Sequence, residues 1–318
     1  MYRLLCELHD PLDSVDWQCL STTELGGVWD LAWHPAGTHL LSAHGDCAAR
    51  IWKVDGQDST LLHRLPHRKF VVSAAWHPIG EIVATGDTQA DPVRIWRVTN
   101  GEQIEELYQH DSWPYSLDWR FDGQAFVSSD MDGRVLVWST SDWHVSMEVQ
   151  PTEVANQGSF CTVRFSPDGM KIVFAESDGK IFVWQDELKM LKCTAEEKHH
   201  LGTRFAFCKS QPDKIAFAHH NGMVSIWDIG QQKHLVDMPV HYTMPSEGRF
   251  RSVDWSPEGK EIAVVGGDSY LRLWRDGIVQ PPISAHNDVV NVARWSPDGR
   301  LLATGSEDGC VKIWLRDH

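Results

Sequence analysis

Short apolar runs alternate with polar turns along nearly the whole chain, most plainly at its end. Residues 289–295 (VVNVARW), 301–306 (LLATGS) and 310–315 (CVKIWL) are apolar stretches separated by Ser-Pro-Asp-Gly and Glu-Asp-Gly. Runs of this length with such punctuation predict β-strands joined by tight turns. In Ser-Pro-Asp-Gly, Pro presets φ at the second position of a type I turn and Gly is free to adopt φ > 0. A strand this close to the chain end would leave a row of unpaired backbone groups. Its partner must come from elsewhere in the sequence.

The same unit recurs. An apolar residue followed by Trp closes each copy, at Trp52, Trp96, Trp138, Trp184, Trp227, Trp274 and Trp314, in steps of 44, 42, 46, 43, 47 and 40 residues. Ahead of each lies an aromatic followed by a turn: "WHPAG" from Trp33, "WHPIG" from Trp76, "WRFDG" from Trp119, "FSPDG" from Phe165, "WSPEG" from Trp255 and "WSPDG" from Trp295. The fifth copy is degenerate, "FCKSQPDK" from Phe207. Each unit reads as three clear strands and a looser fourth. A period of about 40–45 residues with four strands per unit is the pattern of a β-propeller. The expectation is an all-β, seven-bladed β-propeller of four-stranded antiparallel blades.

The missing partner strand is placed by counting. Gln103 to Gln109, the outer strand ahead of the third unit, begins sixteen residues before Trp119, and sixteen before Trp33 is Trp17. Residues 17–23 are therefore expected to close the ring on the terminal strand. This divides the chain into an N-terminal extension, 1–14, and a single propeller, 15–318, with no flanking domain.

Composition narrows the function. The chain has 318 residues and a net charge of −15, which disfavours sequence-independent binding to a phosphate backbone. No apolar run approaches the roughly 18 residues that span a bilayer, and "MYRLLCELHDPLDS" lacks a signal-peptide core. Seven scattered cysteines without a Cys-x-x-Cys pair suit single thiols in a reducing compartment. The expected location is intracellular, cytoplasmic or nuclear, with no membrane and no nucleic acid as partner. Adjacent histidines (His199-His200, His219-His220) point to opposite faces of a strand and chelate poorly, so no metal is expected. No phosphate loop, nucleophile elbow or paired-carboxylate motif is present, so neither cofactor nor enzymatic activity is expected.

Across nearly its full length the sequence resembles the WD-repeat family, although only Trp227-Asp228 keeps the dipeptide that names it. The resemblance implies a hydrogen-bonded tetrad of His, Ser/Thr, Asp and Trp in each blade. His286, Thr304, Asp308 and Trp314 fit it in the seventh unit, and His110, Ser128, Asp132 and Trp138 repeat it offset for offset in the third. The first has Glu24 where His belongs, and the fourth to sixth have Phe174, Phe217 and Val264 in place of the hydroxyl. Recurrence argues against reading His286, Asp308 and Thr304 as a catalytic triad, which would occur once and in a pocket.

The resemblance further implies a non-catalytic scaffold, a subunit of a hetero-oligomeric complex, that docks a partner where the innermost strands begin. Family offsets of six and four residues before the signature aromatic bring Trp29, Phe70, Trp113 and Tyr115 to that face, with Arg249 and Arg251 across the ring. The aromatics would form a groove, and the arginines would meet an acidic or phosphorylated group; the net charge also suits partners with basic segments. The competing readings are an enzyme with a site at the channel mouth and an adaptor for nucleic-acid modification.

Overall fold

The computed structural model describes residues 2–9, 26–88, 92–149, 161–176, 181–185, 187–191, 201–219, 222–239 and 250–316. Among these there are only strands and turns, arranged as seven antiparallel sheets. No helix is long and apolar enough to cross a membrane.

Blade one shows how a unit folds. Val28–Trp33, His39–His44, Ala48–Lys53 and Thr60–Pro66 pair in sequence order, from the innermost strand to the outermost. Blades two to five repeat this order. In blade six, Ile278–Val279 and Ile283–Ser284 share the outer position against Tyr270–Arg275. Blade seven contains Val290–Trp295, Leu301–Ser306 and Val311–Arg316. The core lies between blades, where the faces of neighbouring sheets interdigitate. Trp52, Leu41, Ile51, Val71 and Val83, for example, are buried in the layers around blades one and two. Two of the signature tryptophans also stitch neighbours together. Trp33 Nε1 donates to the Arg294 carbonyl (2.9 Å) and Trp76 Nε1 to the Ala32 carbonyl (2.8 Å).

The closing strand is not the one expected. Tyr2–Leu8 pairs antiparallel with Val311–Arg316, from Tyr2 opposite Arg316 to Leu8 opposite Val311. Residues 17–23 lie outside the described residues, and the segment expected to be an extension supplies the fourth strand of blade seven. The physical reason is that Tyr2–Leu8 fits the site. Leu8 is buried with Val311 and Ile313, and the Tyr2 ring meets Trp295 edge-on at 5.8 Å. The Tyr2 hydroxyl donates to the buried carboxylate of Glu261 in blade six, which also binds Arg275 and Arg316. Counting from Trp17 assumed the same spacing in every unit, and Tyr2–Leu8 lies further ahead of Val28–Trp33 in the sequence than Gln103–Leu107 does of Pro114–Trp119.

A second correction concerns sulfur. Cys47, in the turn after His39–His44, is disulfide-bonded, whereas Cys6, Cys208 and Cys310 are free. Cys47 is thus not one of the single thiols expected from the sequence.

Candidate functional site

The polar chains within the blades come first, because they fix the strands that carry the channel mouth. In blade seven, Trp314 Nε1 donates to Thr304 Oγ1 (2.9 Å), Thr304 lies 2.8 Å from His286 Nε2, and His286 Nδ1 lies 3.0 Å from Asp308. Each buried polar group thus satisfies the next. Burial alone would raise the Asp308 carboxyl, but the His286 contact and the Asn287 N–H hold it well below the ordinary range.

Blade three builds the same chain with a different acid. Trp138, Ser128 and His110 connect at 2.8 and 2.7 Å, but His110 Nδ1 meets Asp130 at 3.0 Å. Asp132, the expected acid, only donates its backbone N–H to Asp130. The cause lies at the last residue of the second strand. In blade three that residue is Asp130, whose carboxylate reaches the imidazole directly. In blade seven it is Ser306, too short to do so, and the acid comes from the turn at Asp308.

The same position explains other blades. In blade two it is Asp87, which receives His67 (3.2 Å) and Arg94 (2.7 Å), while Thr85 joins His67 to Trp96. In blades one and five it is a histidine. His44 contacts Ser42 at 2.7 Å, and His219 contacts Ser225 at 2.6 Å. Blade five thereby replaces the hydroxyl lost at Phe217 with one from the neighbouring strand.

A charged cluster that the sequence reading missed fills the centre of the ring. Arg204, on the innermost strand of blade five (Leu201–Phe207), donates to the Asp30 carboxylate of blade one and to the Trp29 carbonyl (2.8 Å). Arg294 of blade seven reaches the same carboxylate at 3.3 Å. Asp30 also accepts the Ala74 N–H of blade two at 3.3 Å. Burial would raise the Asp30 carboxyl, but Arg204, Arg294 and Arg164 outweigh it and lower it. Asp118 and Asp254 accept the N–H groups of Phe165 and Trp295, each from the next blade, at 2.8 Å. Burial prevails there and raises both carboxyls, despite Arg164 and Arg294. The available signal was an Arg and an Asp three residues before the signature aromatics, where four other units have Ser or Thr: Ser73, Ser116, Thr162 and Ser252.

The described residues expected to bind a partner lie at or beside the starts of the innermost strands. Trp113 is 42% exposed, and Trp29, Phe70, Tyr115 and Arg251 are half-buried. Arg249 lies outside the described residues. Tyr115 interacts with the Arg204 guanidinium, which also holds the Trp29 carbonyl, so Trp29 and Tyr115 converge on one side chain. The Trp29 indole nitrogen is buried without an acceptor among the described residues. Gly27 fits close against blade seven, where a Cβ would come within 3.4 Å of Glu307 Cα. Arg251 is paired with that same Glu307 at 3.7 Å. Aromatic side chains thus stand near the starts of the innermost strands of blades one to three, and an arginine–glutamate pair joins blades six and seven. Among the described residues no group of three or more His, Cys, Asp or Glu side chains is disposed to hold a metal ion.

Comparison with known proteins agrees with this geometry. The family model "WD domain, G-beta repeat" matches residues 17–53, 101–139, 150–185, 239–275 and 279–314, more than half of the chain. Among curated proteins, the chain is 22% identical to mouse (Mus musculus) Jouberin over 74% of its length, covering 24% of that protein. It is 22% identical to mouse pre-mRNA-processing factor 17 over 81% of its length, covering 45%. It is 24% identical to an Arabidopsis thaliana WD repeat-containing protein WDS homolog over 99% of its length, covering 60%. The chain therefore spans less than two thirds of each relative. Among solved structures, the WD40 β-propeller domain of Doa1 superposes with a TM-score of 0.78 at 18% identity, covering 99% of this chain and 97% of that one.

Proposed function

Because this chain belongs to the WD-domain, G-beta repeat family, we propose that it is a non-catalytic scaffold that docks a partner protein on the mouth of its channel. The partner segment lies across Trp29, Phe70, Trp113 and Tyr115 and brings an acidic or phosphorylated group to Arg251, displacing Glu307. The observation that carries this reading is the exposure of Trp113, a large aromatic side chain on a face closed beneath by the Arg204–Asp30 pair. Aromatic and arginine side chains dominate interface hot spots, and exposing them without a partner is costly. The curated relatives include a pre-mRNA-processing factor, consistent with service in a larger assembly.

The test is affinity purification of the full chain from its own cells, with quantitative mass spectrometry, for wild type, Trp113→Ala and Arg251→Glu. A stable set of proteins lost from both variants supports the reading. A set retained by both places the contact elsewhere.

A further inference from the structure

The opposite face of the ring, where the turns after each innermost strand lie, carries a second candidate surface. Three consecutive blades present large apolar side chains there: Ile79 (68% exposed), Phe121 (62%) and Met170 (62%). Their turns nest on one another. His77 Nε2 lies 3.3 Å from the Gly123 carbonyl, and the Phe121 ring covers Gly169 so closely that a Cβ there would meet it at 2.7 Å. Gly169 also has φ +69°, a conformation that favours glycine, so the Phe121 ring rests on a surface other residues would disturb.

Beside Phe121 and Met170 a cleft of about 320 Å³ opens between blades three and four. Its walls include Trp138, Phe165, Ile172 and Trp184. The opening follows from the sequence of blade four. Phe174 replaces the hydroxyl that locks the anchoring Trp in other blades and stacks on Phe182 at 4.9 Å. Trp184 stands half-buried, whereas Trp138, held by Ser128, is 2% exposed.

The charged side chains lining the cleft are Arg120 and Lys171, and among the described residues no carboxylate lines it. Lys171 is held by Asp213 at 2.9 Å. Arg120 donates only its Nε to Asp122 (2.8 Å), leaving both Nη groups without a side-chain partner among the described residues.

We propose that this cleft is a second docking site, which receives an apolar side chain of a partner segment flanked by carboxylates. The apolar anchor enters between Trp138 and Trp184, and Phe121 and Met170 cover its neighbours. A flanking carboxylate pairs with the free edge of the Arg120 guanidinium, the bidentate geometry that arginine favours. With the mouth of the channel on the other face, the ring would then join two partners.

The probe is a fluorescein-labelled peptide, Asp-Glu-Phe-Leu-Asp-Glu, with a counterpart in which lysine replaces every acidic residue, titrated into the full chain by fluorescence anisotropy. Saturable binding of the acidic peptide, weakened at least about ten-fold by Phe121→Asp and by Arg120→Glu, is expected. Arg120→Glu should also narrow the preference over the lysine peptide. Trp113→Ala, on the other face, should leave this binding unchanged, which separates this site from the proposed channel-mouth site. Melting curves of Phe121→Asp and Arg120→Glu are expected to match wild type, since both side chains are at the surface. No saturation by about 1 mM peptide, equal binding of the lysine peptide, or indifference to both substitutions overturns the proposal.

Discussion

Arg204 and Asp30, 174 residues apart, meet across the centre of the ring and tie blade five to blade one. The pair is buried, and Arg294 shares its carboxylate. Breaking a buried ion pair from one side leaves an uncompensated charge, which costs about 3–5 kcal/mol. Arg204→Met leaves Asp30 with Arg294 and should destabilise toward the lower end of that range. Asp30→Ala should cost at least as much, because it strands two guanidinium groups. Denaturant titration with an unchanged m-value is the check; a loss below about 1 kcal/mol for both would mean the pair contributes little.

Blade three offers a direct comparison of two acids two residues apart. Asp130→Ala removes the partner of the buried His110 and should cost about 1–3 kcal/mol. Asp132→Ala leaves the His110–Ser128–Trp138 chain intact and should cost well under half of that. Equal losses in urea titrations would return the role to the turn.

Stability should fall in acid through the paired carboxylates. Burial would raise the Asp46 carboxyl, but Arg50 and Arg64 push it down to about 2. A carboxyl lowered by folding contributes fully above its unfolded value of about 3.9, and its share disappears as pH falls through the folded value. Wild type should thus lose stability progressively from about pH 4 toward pH 2. Asp46→Asn and Asp308→Asn should each be less stable at neutral pH and show a shallower acid dependence. Curves parallel to wild type would contradict the assignment.

The closing strand makes a prediction about truncation. Removing residues 1–9 should bare the edge at Val311–Arg316 and give a chain that self-associates, measured by light scattering. Tyr2→Phe, which deletes the hydroxyl bound to Glu261, should lower the melting temperature without causing association. A truncated chain that stays monomeric and melts as wild type would mean the ring does not depend on this strand.

What the sequence made legible was whatever repeats. The Trp anchors, the turn signatures and the blade-seven residues His286, Thr304 and Asp308 recur at fixed offsets, and each offset is local to one sheet. Asp130 was missed because the acid is decided by the length of one side chain at a strand end, Asp130 against Ser306, while both units carry an Asp in the turn. Arg204 and Asp30 depart from the Ser or Thr at the same offset in four other units, but that the two meet depends on closure of the whole ring, which no offset within a unit encodes. Tyr2–Leu8 escaped because it lies further ahead of its neighbouring innermost strand than the outer strand used for the count. The offsets named Trp29 and Tyr115, and the structure brings both to the same guanidinium, which no offset conveyed.

The most direct test of the account is the affinity of the purified partner, once identified by co-purification, for the isolated chain by isothermal titration calorimetry. Trp113→Ala and Arg251→Glu should each weaken it by at least about ten-fold, with melting curves unchanged. A partner that binds both variants as tightly as wild type would show that the channel mouth is not where this propeller holds it.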